Sequence, residues 1–349
     1  MQKTLVTNEL VIDKLKTVMD PELHKDLVSL GMIKSVTIDG TKVNVTVELT
    51  TPACPLKNKI QSDIVNTVSS IAGVDEVVVE MTARVPPSSN KSDFEELKIK
   101  NIIAVSSGKG GVGKSTLSAN IAVSLSMAGA NVGLMDADIY GPNIPTMMGI
   151  AQMPPPQDGK LIPAESHGVK VISIGFLVKD GQPLIWRGPL LHGTIKQFIV
   201  DVDWGELDYL VVDLPPGTGD VQLSLSQHIP ITCGVVITMP QKVSIDDASR
   251  GIEMFQKLNI PIAGIIENMS GLELEDGQIF DVFGSGGGEQ MAKQYGLEFL
   301  GRIPLDPAIR INGDAGIPIV SSAKDSKAAK KMTEISGKIA AYISQINLK

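Results

Sequence analysis

The fold is decided by Ile102-Ile103-Ala104-Val105-Ser106-Ser107 and the stretch that follows it, Gly108-Lys109-Gly110-Gly111-Val112-Gly113-Lys114-Ser115-Thr116. The first stretch is an apolar strand, the second is a glycine-rich turn, and residues 117–128 continue as a helix. This is the strand–turn–helix context in which G-x-x-x-x-G-K-[ST] binds the phosphates of a nucleotide. The sequence therefore predicts nucleotide binding at 108–116.

The chemistry of this motif follows from its residue types. Glycines let backbone N–H groups converge on phosphate oxygens because no Cβ stands in the way. We expect Lys114 to reach the β- and γ-phosphates and Ser115 to ligate Mg²⁺. The helix that begins near Thr116 would point its positive end at the anion. ATP and Mg²⁺ are the expected cofactors.

Composition favours a two-domain protein of the cytoplasm. The 349 residues suffice for two domains, and a hydrophobic content of 43% can fill sizeable cores. A net charge of −8 with no dominant basic stretch disfavours nucleic acid as the main partner. We expect neither a signal segment nor a membrane partner, because no apolar run approaches a membrane span.

A linker rich in proline, serine and charge is predicted at 85–98, between a small α+β domain at 1–84 and a larger domain at 99–349. In the small domain, Asp39-Gly40 marks a hairpin turn. The larger domain contains seven apolar runs separated by helix-length segments, which predicts a doubly wound, mostly parallel α/β sheet. These runs lie at 102–106, 131–135, 170–175, 209–213, 233–238, 261–266 and 299–303.

Acidic residues end two of these strands. Asp136 and Asp138 follow the second run, and Asp213 ends the fourth in a Walker B pattern. Carboxylates at the carboxyl ends of parallel strands can orient an attacking water or hold Mg²⁺ through a bound water. We assign the Mg²⁺ role to Asp213. The glycines of Pro215-Pro216-Gly217-Thr218-Gly219 give the freedom that a phosphate-sensing switch needs.

Lys109 gives the motif the form K-G-G-x-G-K-[ST], which resembles the dimeric ATPases that include nitrogenase iron protein and the septum-site and chromosome-partitioning ATPases. The resemblance implies a homodimer in which Lys109 acts on the partner's nucleotide, comparable to an arginine finger. It also implies that Asp138 positions the catalytic water while Asp136 is structural. Asn268, and the loop with Pro304 and Asp306, resemble the elements that read the adenine base.

A narrower resemblance covers nearly the whole chain. The segments 138–145, 186–189, 213–220 and 283–289 resemble the Mrp/NBP35 (ApbC) family, and residues 19–56 contain motifs similar to the MIP18-like domain of iron–sulfur assembly factors. This resemblance implies an ATPase that carries iron–sulfur clusters to apo iron–sulfur proteins.

The sequence departs from that family at the expected cluster ligands. A C-x-x-C pair is expected after Asn268, but residues 268–277 contain no cysteine. Thiolate is the usual iron–sulfur ligand. Glu273, Glu275 and Asp276 could hold a harder ion, although a solvated acidic loop is the favoured interpretation. Of the two cysteines, Cys54 is expected to be exposed and could bridge a labile cluster in a dimer, whereas Cys233 is expected to be buried.

Two alternatives stay open at this point. A positioning ATPase would bind membrane or DNA as a nucleotide-bound dimer through the apolar stripe of the C-terminal helix. The stripe consists of Met332, Ile335, Ile339, Tyr342 or Ile343, and Ile346. Core packing is the favoured interpretation of that stripe, since it contains no Trp or Phe. The second alternative is an ATPase switch or scaffold that carries no cluster.

Overall fold

The computed structural model describes residues 6–88, 98–177, 188–217, 219–274 and 276–348. Most of the predicted linker lies outside these residues, as do Trp186, Arg187, Thr218 and Glu275. Within the described part of the chain, no helix is long and apolar enough to cross a membrane.

The chain divides into two compact units. One is formed by Met1–Pro86 together with Ala340–Lys349, and the other by Pro87–Ile339. The end of the chain therefore groups with the small unit, whereas the sequence placed it in the larger domain. Within the small unit, Ser344 Oγ donates to the carbonyl of Thr50 and Asn347 Nδ2 donates to that of Pro86. These contacts join residues that are distant in sequence, so no local sequence pattern could predict them.

The small unit is an α+β domain built on a three-stranded sheet. β4 alternates strictly between buried and half-buried residues, because one face covers the core and the other does not. Strands β3 and β4 form the predicted hairpin, with Gly40 at φ +62°, and β5 pairs parallel to β4. The elements are α1 (Asn8–Leu15), β1 (Met19–Asp20), β2 (Lys25–Asp26), β3 (Ile33–Asp39), β4 (Lys42–Leu49), α2 (Lys57–Ser69) and β5 (Glu76–Ala83).

The larger unit is built on an eight-stranded sheet in the order β15-β12-β11-β6-β10-β7-β9-β8. All seven predicted strands are confirmed and pair in parallel. The eighth, β8, is a short antiparallel edge strand that the sequence did not indicate. The sheet strands are β6 (Ile99–Ser107), β7 (Val132–Asp136), β8 (Ala164–Ser166), β9 (Val169–Ser173), β10 (Leu207–Asp213), β11 (Cys233–Thr238), β12 (Ile262–Glu267) and β15 (Phe299–Arg302).

Helices connect these strands, as parallel pairing requires. The central strands β6, β10 and β11 are almost continuously buried, and this explains why they read as unbroken apolar runs. The helices are α3 (Lys114–Met127), α4 (Ile144–Met147), α5 (Gly188–Val200), α6 (Asp220–His228), α7 (Lys242–Lys257), α8 (Gly287–Tyr295), α9 (Pro307–Asp314), α10 (Ile319–Ser322) and α11 (Lys327–Asn347). A two-stranded ribbon, β13 (Leu272–Glu273) and β14 (Ile279–Phe280), lies outside the sheet.

The apolar stripe of α11 is core packing. Met332, Ile335, Ile339 and Ile343 are all buried. The approach of Ile335 to the Gly301 backbone fixes the helix against β15, because a Cβ on Gly301 would lie 3.2 Å from Ile335 Cδ1. The stripe is therefore not presented as a membrane-binding face.

We expect Ile335→Ala to lower the free energy of unfolding by about 2–5 kcal/mol, because it leaves a cavity at a site that is 1% exposed. The matched control is Ile311→Ala, at a position 52% exposed, which should change stability by less than about 0.5 kcal/mol. Urea unfolding followed by circular dichroism measures both. Equal losses for the two variants would contradict the packing described for α11.

Candidate nucleotide-binding site

The predicted phosphate loop connects β6 to α3 and is held by close backbone packing. Gly113 has φ +88°, and a Cβ there would collide with the side-chain amide of Asn268. A Cβ on Gly108 would collide with the backbone of Asp247 in α7. Sterics therefore require glycine at both positions, and the positive φ requires it at Gly113 as well. The loop ends at the N-terminus of α3, whose free N–H groups favour an anion.

A buried ammonium lies at the centre of the site. Lys114 Nζ is 2.8 Å from Asp213 Oδ2 and 3.3 Å from Asp138 Oδ2. Burial alone would lower the pKa of Lys114, but the neighbouring carboxylates outweigh it and raise the pKa above its ordinary value. The lysine is therefore charged, and its ammonium faces Asp138 and Asp213, two of the three acidic residues that the sequence predicts at this site.

Two serines of α3 fix the orientation of Asp213. Ser115 Oγ donates to Asp213 Oδ2 and Ser118 Oγ donates to Oδ1, each at 2.6 Å. Asp213 is fully buried at the end of β10. The Ser115 hydroxyl and the Asp213 carboxylate thus form an oxygen pair of the kind that Mg²⁺ prefers. The sequence analysis missed Ser118, although its place one helical turn after Lys114 is the signal that would have found it.

Asp136 and Asp138 have different surroundings. Asp136 is buried and accepts hydrogen bonds from the Ser173 hydroxyl and from the N–H groups of Asp138 and Ile144. Burial and the nearby Asp213 raise the pKa of Asp136. These contacts agree with a structural role for Asp136.

Asp138 lies in the first turn of the loop after β7. Its Oδ1 accepts from the N–H groups of Tyr140 and Gly141, and its Oδ2 faces Lys114. Burial raises the pKa of Asp138 despite the opposing effect of Lys114. Two N–H groups of its own loop thus hold the Asp138 carboxylate next to Lys114.

Lys109 is partly exposed in the phosphate loop. The Ser107 hydroxyl donates to the carbonyl of Lys109 and fixes the backbone there. Among the described residues, the ammonium of Lys109 forms no ion pair with a carboxylate.

Asn268, which is expected to contact the adenine base, lies beside the phosphate loop. Pro304 and Asp306, which are expected to close over the base, lie on a neighbouring loop. Asn268 Nδ2 donates to the carbonyl of Val112 at 2.8 Å, which brings Asn268 to the phosphate loop. The loop with Pro304 and Asp306 runs alongside 267–271, since the N–H of Leu305 donates to Gly271. Asp306 caps α9 by accepting from the N–H of Ala308 at 2.8 Å. The Oδ1 atom of Asp306 is thus already engaged in a hydrogen bond.

A buried carboxylate that the sequence analysis missed organises the glycine-rich segment 283–289. Glu267 is fully buried at the end of β12 and accepts from the N–H groups of Gly286 and Gly288 and from Ser270 and Arg302. These four donors compensate its burial. Glu267 therefore orders the turn between β14 and α8, next to Asn268.

The two cysteines differ in burial, and Cys54 is more buried than expected. Cys54 is half-buried, and burial together with Glu22 and Asp20 raises the pKa of its thiol to about 11. It is thus less exposed than the sequence suggested. Burial also raises the pKa of Glu22, to about 7. Cys233 is fully buried in β11, as predicted, and its pKa is raised to about 12.

The described part of the acidic loop after Asn268 forms no group of metal ligands. Glu273 is paired with Lys327 at 2.6 Å, and Glu275 lies outside the described residues. Across the described ranges, no group of three or more His, Cys, Asp or Glu side chains is arranged to hold a metal ion. The solvated acidic loop favoured by the sequence stays a prediction, since Glu275 is not among the described residues.

Comparison with known proteins matches both units to families. Residues 98–340 match the family described as ParA, NUBPL iron-transfer P-loop NTPase. Residues 8–80 match the family described as iron-sulfur cluster assembly protein. The resemblance inferred from the motifs is thereby confirmed for both parts of the chain.

Individual relatives align over nearly the full length. An iron-sulfur cluster carrier protein of Synechocystis sp. is 48% identical over 99% of this chain and 100% of its own. One from Deinococcus radiodurans is 46% identical over 97% of this chain and 96% of its own. A nucleotide-binding protein from Archaeoglobus fulgidus, solved in complex with ADP and with cobalt found in it, has a TM-score of 0.56 and 38% identity, covering 63% of this chain and 87% of its own.

We expect Ser118→Ala to weaken binding of Mg-ATP about tenfold, because Asp213 loses a charge-assisted hydrogen bond worth about 1.5 kcal/mol. Ser124→Ala is the matched control, since the hydroxyl of Ser124 on the same helix is buried and has no hydrogen-bond partner among the residues that the structure describes. It should leave the affinity unchanged. Calorimetric titration measures both variants, and an unchanged affinity in Ser118→Ala would refute the role given to Ser118.

Proposed function

The chain belongs to the NUBPL iron-transfer P-loop NTPases, and from that premise we propose that it is a cytoplasmic, ATP-hydrolysing carrier that transfers iron–sulfur clusters to apoproteins. The observation that carries the ATPase part is the buried Lys114 between Asp213 and Asp138, at the N-terminus of α3. The names of the full-length relatives support the carrier part.

Binding of ATP would exchange one set of partners of Lys114 for another. In the structure, the ammonium is satisfied by the carboxylates of Asp213 and Asp138. We propose that the β- and γ-phosphates take over this ammonium. Ser115 would then ligate Mg²⁺ directly and Asp213 through a bound water, which leaves the carboxylate neutralised by the cation. When bound, Mg²⁺ supplies charge stabilisation to the phosphates.

The backbone of the loop would complete the phosphate site. We propose that the N–H groups of Gly108, Gly110, Gly111, Val112, Gly113 and Thr116 face the phosphate oxygens. Asn268 keeps its side-chain oxygen for the adenine amino group while its Nδ2 remains on Val112. Pro304 and Asp306 would close over the base from the neighbouring loop.

Hydrolysis would need a positioned water and a second cation. We propose that Asp138 orients the water, because its carboxylate lies 3.3 Å from Lys114 at the γ-phosphate end. Lys109 would stabilise charge on the phosphates of a partner subunit, and this requires a homodimer. The partial exposure of Lys109 and the absence of an ion pair to it within the described residues support this assignment.

The cargo site is proposed at Cys54, with one thiolate from each subunit of the dimer. Cys54 is the more accessible of the two cysteines, because Cys233 is fully buried. Its raised pKa disfavours the thiolate, so a cluster held there would be released readily to an apoprotein that offers more ligands. We expect labile and substoichiometric binding.

A second candidate function is favoured by one observation. Residues 268–277 contain no cysteine, so the protein could retain the ATPase switch and act as a scaffold without a cluster. The membrane-binding alternative loses its support, because Met332, Ile335, Ile339 and Ile343 of the stripe on α11 are buried.

We expect Lys109→Ala to reduce ATP hydrolysis by at least about a hundredfold while the affinity for ATP changes little, because the lysine acts in the partner's site. Mixing Lys109→Ala with Lys114→Ala should restore activity in the mixed dimer. There the Lys109→Ala subunit binds ATP, and the Lys114→Ala subunit supplies Lys109 to it. Lys257→Ala, at an exposed position, is the control. Hydrolysis proportional to monomer concentration, with no restoration on mixing, would contradict the trans arrangement.

Anaerobic reconstitution with iron and sulfide tests the cargo site. We expect wild type and Cys233→Ser to take up iron and Cys54→Ser to take up almost none. Uptake by the wild type should increase between pH 7 and pH 9, because a thiol with a pKa of about 11 yields about ten times more thiolate per pH unit below that value. Equal, near-zero iron in all three proteins would favour the scaffold instead.

A further inference from the structure

A surface groove of the small unit lies between α2 and the segment that contains β1, and its volume is about 460 Å³. Helix α2 buries the row Ile60, Ile64 and Val68 in the core. The row one residue earlier lines the groove, because residues four apart share one face of a helix. The lining includes Met19, Pro21, Lys59, Asp63, Asn66 and Thr67.

The segment at Met19 is fixed by contacts within the small unit. Asp20 is buried, and its Oδ1 accepts from the N–H groups of Glu22 and Leu23 at 2.8 and 2.9 Å. Met19 itself pairs with Asp26 between β1 and β2. Its side chain is nevertheless 49% exposed. The groove therefore presents an adaptable apolar side chain on an ordered backbone, and methionines of this kind are common at surfaces that bind varied partners.

Two opposite charges of the groove are not neutralised within the small unit. Lys59 is exposed and Asp63 is half-buried. In the part of the chain that the structure describes, neither side chain forms an ion pair, although they lie four residues apart on α2. Asn66 and Thr67 add an amide and a hydroxyl, which can bond to a peptide backbone. The groove thus offers a cation, an anion and groups that recognise a main chain.

The polarity of the groove favours a protein segment over a small molecule as its ligand. Small-molecule sites enclose most of the ligand and are lined mainly by apolar side chains. Here Met19, Lys59 and Asn66 are exposed, and four of the six lining residues given above are polar. Contact surfaces between proteins combine apolar side chains with a polar rim in this way.

β1 also connects the groove to the surroundings of Cys54. Successive side chains of a strand point to opposite sides, so Met19 and Asp20 face different environments. Met19 lines the groove, whereas the charge of Asp20, with that of Glu22, acts on the Cys54 thiol. A segment bound in the groove would therefore lie across β1 from the proposed cargo site.

We propose that this groove docks an extended segment of a partner protein that carries one apolar, one acidic and one basic side chain. Lys59 pairs with the acidic side chain, Asp63 pairs with the basic one, and Met19 contacts the apolar one. The identity of the partner rests on the proposed carrier function, under which it is the apoprotein that receives the cluster. Docking raises the effective concentration of the recipient's ligands near Cys54.

Selection from a display library of random linear heptapeptides tests the groove. The full-length wild type, Asp63→Lys and Lys59→Glu are immobilised separately, after circular dichroism has verified folding. We expect the wild type to enrich peptides that combine an apolar residue with both charges. Asp63→Lys should lose the preference for the basic residue, and Lys59→Glu should lose the preference for the acidic one.

Fluorescence anisotropy with a synthetic peptide of the enriched sequence measures each contribution. Met19→Asp and Asp63→Lys should each weaken binding at least about tenfold. Val78→Asp is the matched control for Met19→Asp and should stay within about twofold of wild type. Val78 is 40% exposed on β5, between Val77 and Val79, which pack against the core of the small unit.

Three results would overturn the proposal: no enrichment on the wild type, the same peptides on all three proteins, or an equal loss of affinity in Val78→Asp. Sedimentation supplies a fourth. Self-association of the wild type that Met19→Asp abolishes would show that a second copy of the chain occupies the groove.

Fusion of the enriched peptide to an apo two-iron ferredoxin tests the identity of the partner. Iron transfer from the reconstituted wild type should be at least about threefold faster to the fused ferredoxin than to the unfused one, and Asp63→Lys should show no such difference. Equal rates with the wild type would overturn the assignment of the groove to the recipient. A wild type that selects these peptides but takes up no iron would instead contradict the proposed carrier function.

Discussion

The buried ammonium of Lys114 is the interaction on which the rest of the site depends. It lies between Asp213 and Asp138, and Asp136 is close enough to contribute to its pKa. Burial raises the pKa values of Asp136 and Asp138, and the negative charge of the nearby Asp213 adds to the effect. In the proposed mechanism, a divalent cation would compensate the carboxylates. Phosphate would then replace them as the partner of the Lys114 ammonium most favourably when Mg²⁺ binds with it.

The parallel sheet explains how these charges meet. β6, β7 and β10 run in the same direction, so that the phosphate loop, Asp136 and Asp213 all emerge at one edge. α3 returns across this edge and supplies Ser115 and Ser118 to Asp213. β12 ends at the same edge and brings Asn268 to Val112. A ligand bound there would contact loops from four strands, as ligands of doubly wound folds do.

Features of the molecule that depend on local sequence were predictable, and those that depend on distant contacts were not. The seven parallel strands and the phosphate loop were predicted because apolar runs and glycine spacing are local signals. The edge strand β8 is only three residues long and had no such signal. Three features arise from contacts between residues far apart in the chain: the role of Glu267, the place of Ser344 in the small unit, and the partial burial of Cys54.

The most direct test of this account is a calorimetric titration of ATP into the wild-type protein and into Lys114→Met, with Mg²⁺ and with a chelator. Methionine keeps the length of the side chain and removes its charge. We predict that the wild type binds ATP at least about tenfold more tightly with Mg²⁺ than without it, and that Lys114→Met shows no binding under either condition. Wild-type affinity in Lys114→Met, or an affinity independent of Mg²⁺, would contradict the central role of the charge cluster.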